Sequence, residues 1–302
     1  MQAAGMFEPR GPVAAEMTYL FWVLVVLGAA VAMMFIGLLV RALFREPPGD
    51  ADENRLQRRW LVGGGMAMPA LVIGVVFGFT LIGMRNTDLG PGSLEIDVIG
   101  HQWWWEVRYD GFVTANEIHI PVGEPVTFTL SSADVIHSFW VPELGGKIDL
   151  LPDHPNSVTL QADEAGVYGG ACAEFCGLQH ARMRLQVHAE SREDYEQWVA
   201  AQQGGASEPD SAAAERGLEI FLTEGCGECH TVAGVTEGRK APDLTHLASR
   251  SSLAAGTLPN DSQHLADWIS DPESFKQGTE MPGADLDEND LNDLVAYLES
   301  LR

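Results

Sequence analysis

The sequence predicts a chain of three parts: a two-helix membrane hairpin, an all-β domain and an all-α C-terminal domain. Three observations carry this. Two long apolar runs without a charged residue fall within the first 90 of the 302 residues. From residue 94 the pattern changes to short β-prone runs broken by Gly, Pro, Asp and Asn. Beyond residue 211, helix-spaced segments flank a tight cysteine pair. The expected organisation is an N-terminal segment and hairpin over 1–90, a strand-rich domain over 91–203, a Gly/Ser/Pro linker over 204–211 ("GGASEPDS") and a helical domain over 212–302.

The first apolar run covers 19–40 and the second 60–84. At 1.5 Å per residue each is long enough for about 30 Å of hydrocarbon. The second contains Gly63, Gly64, Gly65, Gly74 and Gly78, which favour close helix packing in a membrane, and Pro69, expected to kink it. The first is too long for a signal-peptide core, and its arginines follow rather than precede it. The segment between the runs holds Arg41, Arg45, Arg55, Arg58 and Arg59, against Arg10 before the first and Arg85 after the second. Positive-inside bias therefore puts that segment in the cytoplasm, and the N-terminus and residues 85–302 on the opposite, periplasmic or outer, face of a bacterial cell membrane.

In the middle region "LEIDVIG", "QWWWEVRY", "EIHI", "VTFTL", "VIHSFW", "SVTLQ" and "MRLQVHA" read as strands of an antiparallel barrel or sandwich. Three adjacent tryptophans in one strand would point to both faces, so they cannot all share one core. Ser191 with Asp194 three residues later caps a short helix.

The formal net charge of −25 excludes nucleic acid as a partner class. It gives a solvated acidic surface, or one that steers cationic partners. The four cysteines form two close pairs, Cys172 with Cys176 and Cys226 with Cys229, each with a histidine a few positions on. That density is too low for a disulfide scaffold and fits cofactor ligation.

In "ACAEFCGLQHARM", 171–183, Cys172 and Cys176 could form a disulfide or bind zinc with His180. A mononuclear blue-copper site needs one thiolate, and here there are two. Two thiolates can bridge two copper ions, each then taking one histidine. His180 is local, "DVIHSFWVP" offers His137, and Met183 supplies a soft thioether that zinc has little use for.

"VIHSFWVPELGGKIDLLP" followed by "CAEFCGLQHARM" resembles the binuclear copper centre, CuA, of cytochrome c oxidase subunit II. "GHQWWWEVRYD", 100–110, resembles that family's tryptophan-rich segment, and the two leading spans agree with it. The resemblance implies a cupredoxin-like Greek-key barrel. It implies copper ligands His137, Cys172, Cys176, His180 and Met183, with Glu174 giving its backbone carbonyl. It implies that the Glu174 carboxylate reaches a magnesium ion shared with subunit I, and that Trp103 receives electrons from cytochrome c. A core position is the alternative for Trp103.

"CGECH", 226–230, is the C-x-x-C-H signature of covalent haem c attachment. Cys226 and Cys229 would form the thioethers and His230 would be the proximal ligand. A thioredoxin-like pair would need a βαβ context and no histidine. Met281 is the expected second axial ligand, because it is the only methionine after Met183. "SAAAERGLEIFLTEG" and "DENDLNDLVAYLESLR", the latter with Leu291, Leu294, Val295 and Leu298 on one face, resemble the packed terminal helices of a class I cytochrome c. "APDLTHLASR" is similar to the segment after the haem motif in cytochromes fused to subunit II, so Pro242 should pack by the haem. His246 and His264 are read as packing or surface residues, and His154 as a surface residue.

The whole chain thus resembles subunit II of a caa-type haem–copper oxidase with a fused cytochrome c. The resemblance implies electron relay from haem c to CuA and on to haem in subunit I for oxygen reduction, with no catalytic residue in this chain. Implied partners are subunits I and III, cytochrome c or another periplasmic donor, and membrane lipid. A CuA-containing nitric oxide reductase and a free-standing membrane-anchored shuttle are the rivals. The family often has a glutamate about one turn before the tryptophan that opens the second span. Here Gln57 stands three residues before Trp60 and Glu53 a turn earlier, so no proton-uptake residue is assigned. Both copper and haem domains are acidic, so opposite net charge cannot hold them together. A flexible linker of about ten residues spans roughly 17 Å and would make weak docking sufficient.

Overall fold

The computed structural model describes residues 5, 7–44 and 53–302; Arg45 and the Glu53 side chain lie outside what is described. Residues 12–88 form one compact unit, and residues up to 11 together with 89–302 form the other.

In the first unit, α1 (Pro12–Leu43) extends beyond both ends of the predicted run. The second helix begins as α2 (Glu53–Arg59), widens into π-type turns over Trp60–Ala67 and continues as α3 (Met68–Asn86). Pro69 sits in the first turn of α3, just after the wide turns, so they and the proline together interrupt the regular α ladder. Asn86 Nδ2 donates to Glu16 Oε1 at 2.7 Å, and Tyr19 meets Phe79 edge-on, which pairs the helices. Neither apolar window is buried within the protein, so lipid is the partner these side chains suit.

The strand-rich part of the second unit contains β1 (Leu94–His101), β2 (Trp104–Tyr109), β3 (Phe112–Ala115), β4 (Glu117–Pro121), β5 (Val126–Ser132), β6 (His137–Trp140), β7 (Ile148–Leu150), β8 (Asn156–Leu160), β9 (Gly166–Cys172) and β10 (Arg184–Glu190). They form two five-stranded sheets, ordered β3-β2-β1-β5-β8 and β4-β10-β9-β6-β7. Alternating residues of each strand fill the space between the sheets: Ile96, Val98, Trp105, Val107, Phe128 and Leu130 from one, Ile118, Ile120, Phe139, Leu185 and Val187 from the other. The pairing is not wholly antiparallel: β1 with β5 and β4 with β10 run parallel. Chain crossings between layers, rather than hairpins, bring those strands together. Strands β3, β7 and β9 have no counterpart in the sequence reading. Trp103 lies in the turn before β2, not in a strand, and Trp105 is the core tryptophan.

Ser191 caps α4 (Arg192–Gln202) as its sequence predicts, accepting from the Asp194 amide at 3.1 Å. The C-terminal part holds α5 (Ala212–Thr223), α6 (Ser262–Ser270), α7 (Pro272–Phe275) and α8 (Glu288–Ser300). Helices α5 and α8 cross at Gly217, where an added methyl would overlap the Asp293 carbonyl and press on Tyr297. Arg216 pairs with Asp293 beside that crossing at 2.6 Å. Leu294, Val295, Tyr297 and Leu298 give α8 its buried face. Gly217→Val is expected to destabilise this domain by about 3 kcal/mol, the upper range of overpacking costs. A thermal melt with an unchanged midpoint would contradict it.

The segment 204–211 is pinned rather than free. Ser207 Oγ donates to the Arg302 carbonyl at 3.1 Å, and buried His246 Nε2 lies 3.2 Å from the carbonyls of both Gln202 and Gly204. His246 is therefore a packing residue, while His154 is exposed and His264 pairs with Asp261 on the surface.

Candidate functional site

Cys172 ends β9, and the loop that follows returns through His180 and Met183 into β10. His137 opens β6 alongside. Gly100 makes room for it: a Cβ there would stand 2.8 Å from the His137 ring. His137, Cys172, Cys176 and Met183 are all at most 5% exposed, so any cation held among them would be dry.

Both cysteines are free thiols, with their sulfurs 3.7 Å apart. His137 Nδ1 faces Cys172 Sγ at 3.9 Å, and His180 Nδ1 faces Cys176 Sγ at 3.7 Å. Met183 Sδ lies 3.9 Å from Cys176 Sγ, and the Glu174 carbonyl lies 3.1 Å from Cys172 Sγ. Each sulfur thus has one histidine nitrogen of its own, one end adds a thioether and the other a carbonyl. This near two-fold donor set fits a pair of soft cations sharing two thiolates. A disulfide would need bonded sulfurs. Asp134 Oδ1 holds His137 Nε2 at 2.7 Å, which fixes the ring with Nδ1 inward. Burial pulls the His137 pKa down, but Asp134 and Cys172 outweigh it and raise it overall.

The two thiols behave as one acid pair. The hydrogen bond from Cys176 pulls the Cys172 pKa down to about 3, with His137 adding to it against burial. The same bond, and then burial, pushes Cys176 up. One thiolate forms readily and the second resists, so binding a cation across both sulfurs must expel a proton.

Trp103 touches this loop directly. Its Nε1 donates to the Cys176 carbonyl at 2.9 Å, and Gln102 Nε2 donates to the same oxygen at 2.7 Å. The Glu174 carboxylate instead points outward to Lys147 Nζ, 2.9 Å away.

In the C-terminal part, Cys226 and Cys229 flank a short 3₁₀ turn. His230 Nδ1 donates to the Pro242 carbonyl at 2.7 Å, leaving Nε2 for a ligand. His230 and Met281 both line a cavity of about 290 Å³, with Pro242, Arg250, Trp268 and Lys276 and, from the strand-rich part, His101, Gln102, Trp103 and Trp104. Buried Arg250 lines it with an Nε that has no partner among the described residues, a donor suited to an anionic group. A histidine and a methionine lining one cavity, free thiols nearby and a buried cation fit a covalently attached haem.

Sequence reasoning missed the residues that join the two parts. Lys276 is 4% exposed, has no carboxylate partner among the described residues, and donates to the Trp103 carbonyl at 2.7 Å and the Ala254 carbonyl at 3.2 Å. Burial pushes its ammonium down to about 7. Gln179 Nε2 donates to the Gln277 carbonyl at 2.7 Å, and Arg182 donates to the Phe275 carbonyl. Buried Glu117 accepts from Ser251 N at 2.8 Å, Ser251 Oγ at 2.7 Å and Ser252 N at 3.1 Å. These contacts are made by single groups, most of them bonded to backbone, rather than by opposite net charges.

Residues 112–190 match the family described as cytochrome C oxidase subunit II, periplasmic domain, and residues 214–302 match that described as cytochrome c. The cytochrome c oxidase subunit 2 of Alkalihalophilus pseudofirmus is 36% identical over 98% of this chain and 90% of its own length. This chain belongs to the cytochrome c oxidase subunit 2 family. The Bacillus subtilis cytochrome c oxidase subunit 2 is 31% identical, over 84% of this chain and 77% of its own. A solved periplasmic domain of subunit II from Bradyrhizobium japonicum is 28% identical, covers 38% of this chain and 96% of that one, and gives a TM-score of 0.37. As a subunit II with a fused cytochrome c domain, the chain is a membrane-anchored part of an oxidoreductase, a haem–copper terminal oxidase, that works in association with subunit I. Its family implies copper and haem c as cofactors.

Proposed function

We propose that this subunit receives electrons on a haem c held by Cys226, Cys229, His230 and Met281 and passes them to paired copper held by His137, Cys172, Cys176, His180, Met183 and the Glu174 carbonyl. From there they would reach haem in subunit I, where oxygen is reduced to water. Bound copper and haem supply one-electron chemistry; the chain supplies rigid, dry and closely spaced ligands.

The position of Trp103 carries this reading. Its indole is bonded to the Cys176 carbonyl. Its backbone carbonyl holds Lys276, and its ring faces Gly278, three residues before Met281, where a Cβ would stand 3.7 Å from Cη2. One residue therefore bridges the methionine loop and the cysteine loop by direct contact. Because the chain's own domain covers Trp103, an external donor such as a soluble cytochrome c docks on the haem domain instead. Glu174 serves an interface magnesium once Lys147 releases its carboxylate. Subunit III and the lipid of a bacterial cell membrane complete the surroundings, with both cofactor domains on the periplasmic side.

After pulse reduction of the haem, copper is expected to be reduced at a rate independent of protein concentration. A rate proportional to concentration would refute the internal route.

A further inference from the structure

A second group of ligating side chains lies on the outer face of the sheet containing β4 and β10, and shares no residue with the copper loop or the haem cavity. The two strands run parallel with His119 opposite His188 and Glu117 opposite Gln186. Strand alternation therefore puts Glu117, His119 and His188 on one face. One donor atom from each of these three residues lies within 4.8 Å of the other two.

The surroundings are built for a ligand. Glu117 Oε1 is occupied by Ser251 and Ser252, while Oε2 points at His188 Nε2, 3.7 Å away. That separation is too long for a hydrogen bond, and His188 Nε2 is buried with no hydrogen-bond partner among the described residues. Glu190 Oε2 lies 3.2 Å from His119 Nδ1, the carboxylate–histidine arrangement that orients a metal-binding ring. His119 stacks on His188 with centroids 4.5 Å apart, and Trp198 stacks on His119 at 4.0 Å. Stacking alone would explain flat rings here. It does not explain a buried imidazole nitrogen that stands 3.7 Å from a carboxylate oxygen without a hydrogen bond, a gap that buried polar groups avoid unless something joins them.

We propose that Glu117, His119 and His188 form a mononuclear site for a divalent cation of the zinc class, with solvent completing the coordination. Two imidazoles and one carboxylate are a donor set that zinc takes with an open position. Glu117 would then hold the cation with one oxygen and the haem domain's serines with the other, so that occupancy stiffens the docking of the two domains.

Zinc ion alone, titrated into the haem- and copper-loaded full chain, tests this. The expected result is a single tightly held zinc per chain beyond the copper, with only nitrogen and oxygen in its X-ray absorption shell. His188→Gln and His119→Gln should each weaken it by at least about tenfold. If either variant loses its haem absorption, Glu190→Gln, which lies outside the proposed shell, must still weaken binding. No retained zinc, sulfur in its shell, or an affinity indifferent to both His188→Gln and Glu190→Gln would overturn the proposal.

Discussion

Cys176→Ser is expected to remove the paired copper centre while leaving the haem in place. The two sulfurs are 3.7 Å apart, and each faces one histidine, so both are needed for a shared pair. A serine hydroxyl is a hard, weakly acidic donor and cannot replace a bridging thiolate. Cys172 keeps His137 and the Glu174 carbonyl, while His180 and Met183 lose the sulfur they face, so the remaining thiolate serves one cation at most. Metal analysis should give one copper or none per chain, without the spectrum of an electron shared between two coppers. The burial of a new hydroxyl costs about 1–3 kcal/mol, so the fold survives. The docking contact survives as well, because Trp103 and Gln102 bond to the backbone carbonyl of residue 176. Two coppers with a mixed-valence signal in this variant would sink the assigned ligand set.

How much of this the sequence disclosed depends on how local each signal is. The cysteine loop was legible because Cys172, Cys176, His180 and Met183 fall within twelve consecutive residues. His137 was only a candidate offered by "DVIHSFWVP" from elsewhere in the chain, since only the fold brings β6 beside β9. Strand β9 itself was hidden by Gly166, Gly169 and Gly170, which read as turn residues. Gly170 is there for space: a Cβ would lie 2.7 Å from Leu185 Cγ. The docking residues left no local trace. In "EIHI" the alternation assigns Glu117 and His119 to the outer face, which a sequence reader takes as solvated. The structure covers that face with Ser251, Ser252 and Trp198. Likewise "GGASEPDS" has a linker's composition, and composition cannot report that Ser207 reaches the last carbonyl of the chain. Long-range polar contacts are where sequence patterning ends, because a single donor and acceptor impose no period.

Glu117→Ala is expected to loosen the docking of the haem domain on the strand-rich domain without unfolding either. Glu117 is 4% exposed and receives four hydrogen bonds of 2.7–3.3 Å from Ser251 and Ser252. Alanine leaves the Ser252 amide without an acceptor at a residue only 8% exposed. Losing charge-assisted bonds of this kind costs about 3 kcal/mol, roughly a hundredfold in the ratio of docked to undocked forms. Lys276, Gln179 and Arg182 still hold the far side of the contact, so the domain opens and recloses rather than detaching. Measured without added zinc, the amides of 251–260 should exchange faster and proteases should cut within 204–211. Glu117→Gln keeps an oxygen in place for the serines and should stay close to wild type in both assays. Equal protection in the alanine and glutamine variants would show that the serine contacts do not hold the domains together. In that case Lys276 and its two carbonyl partners would have to bear the docking alone.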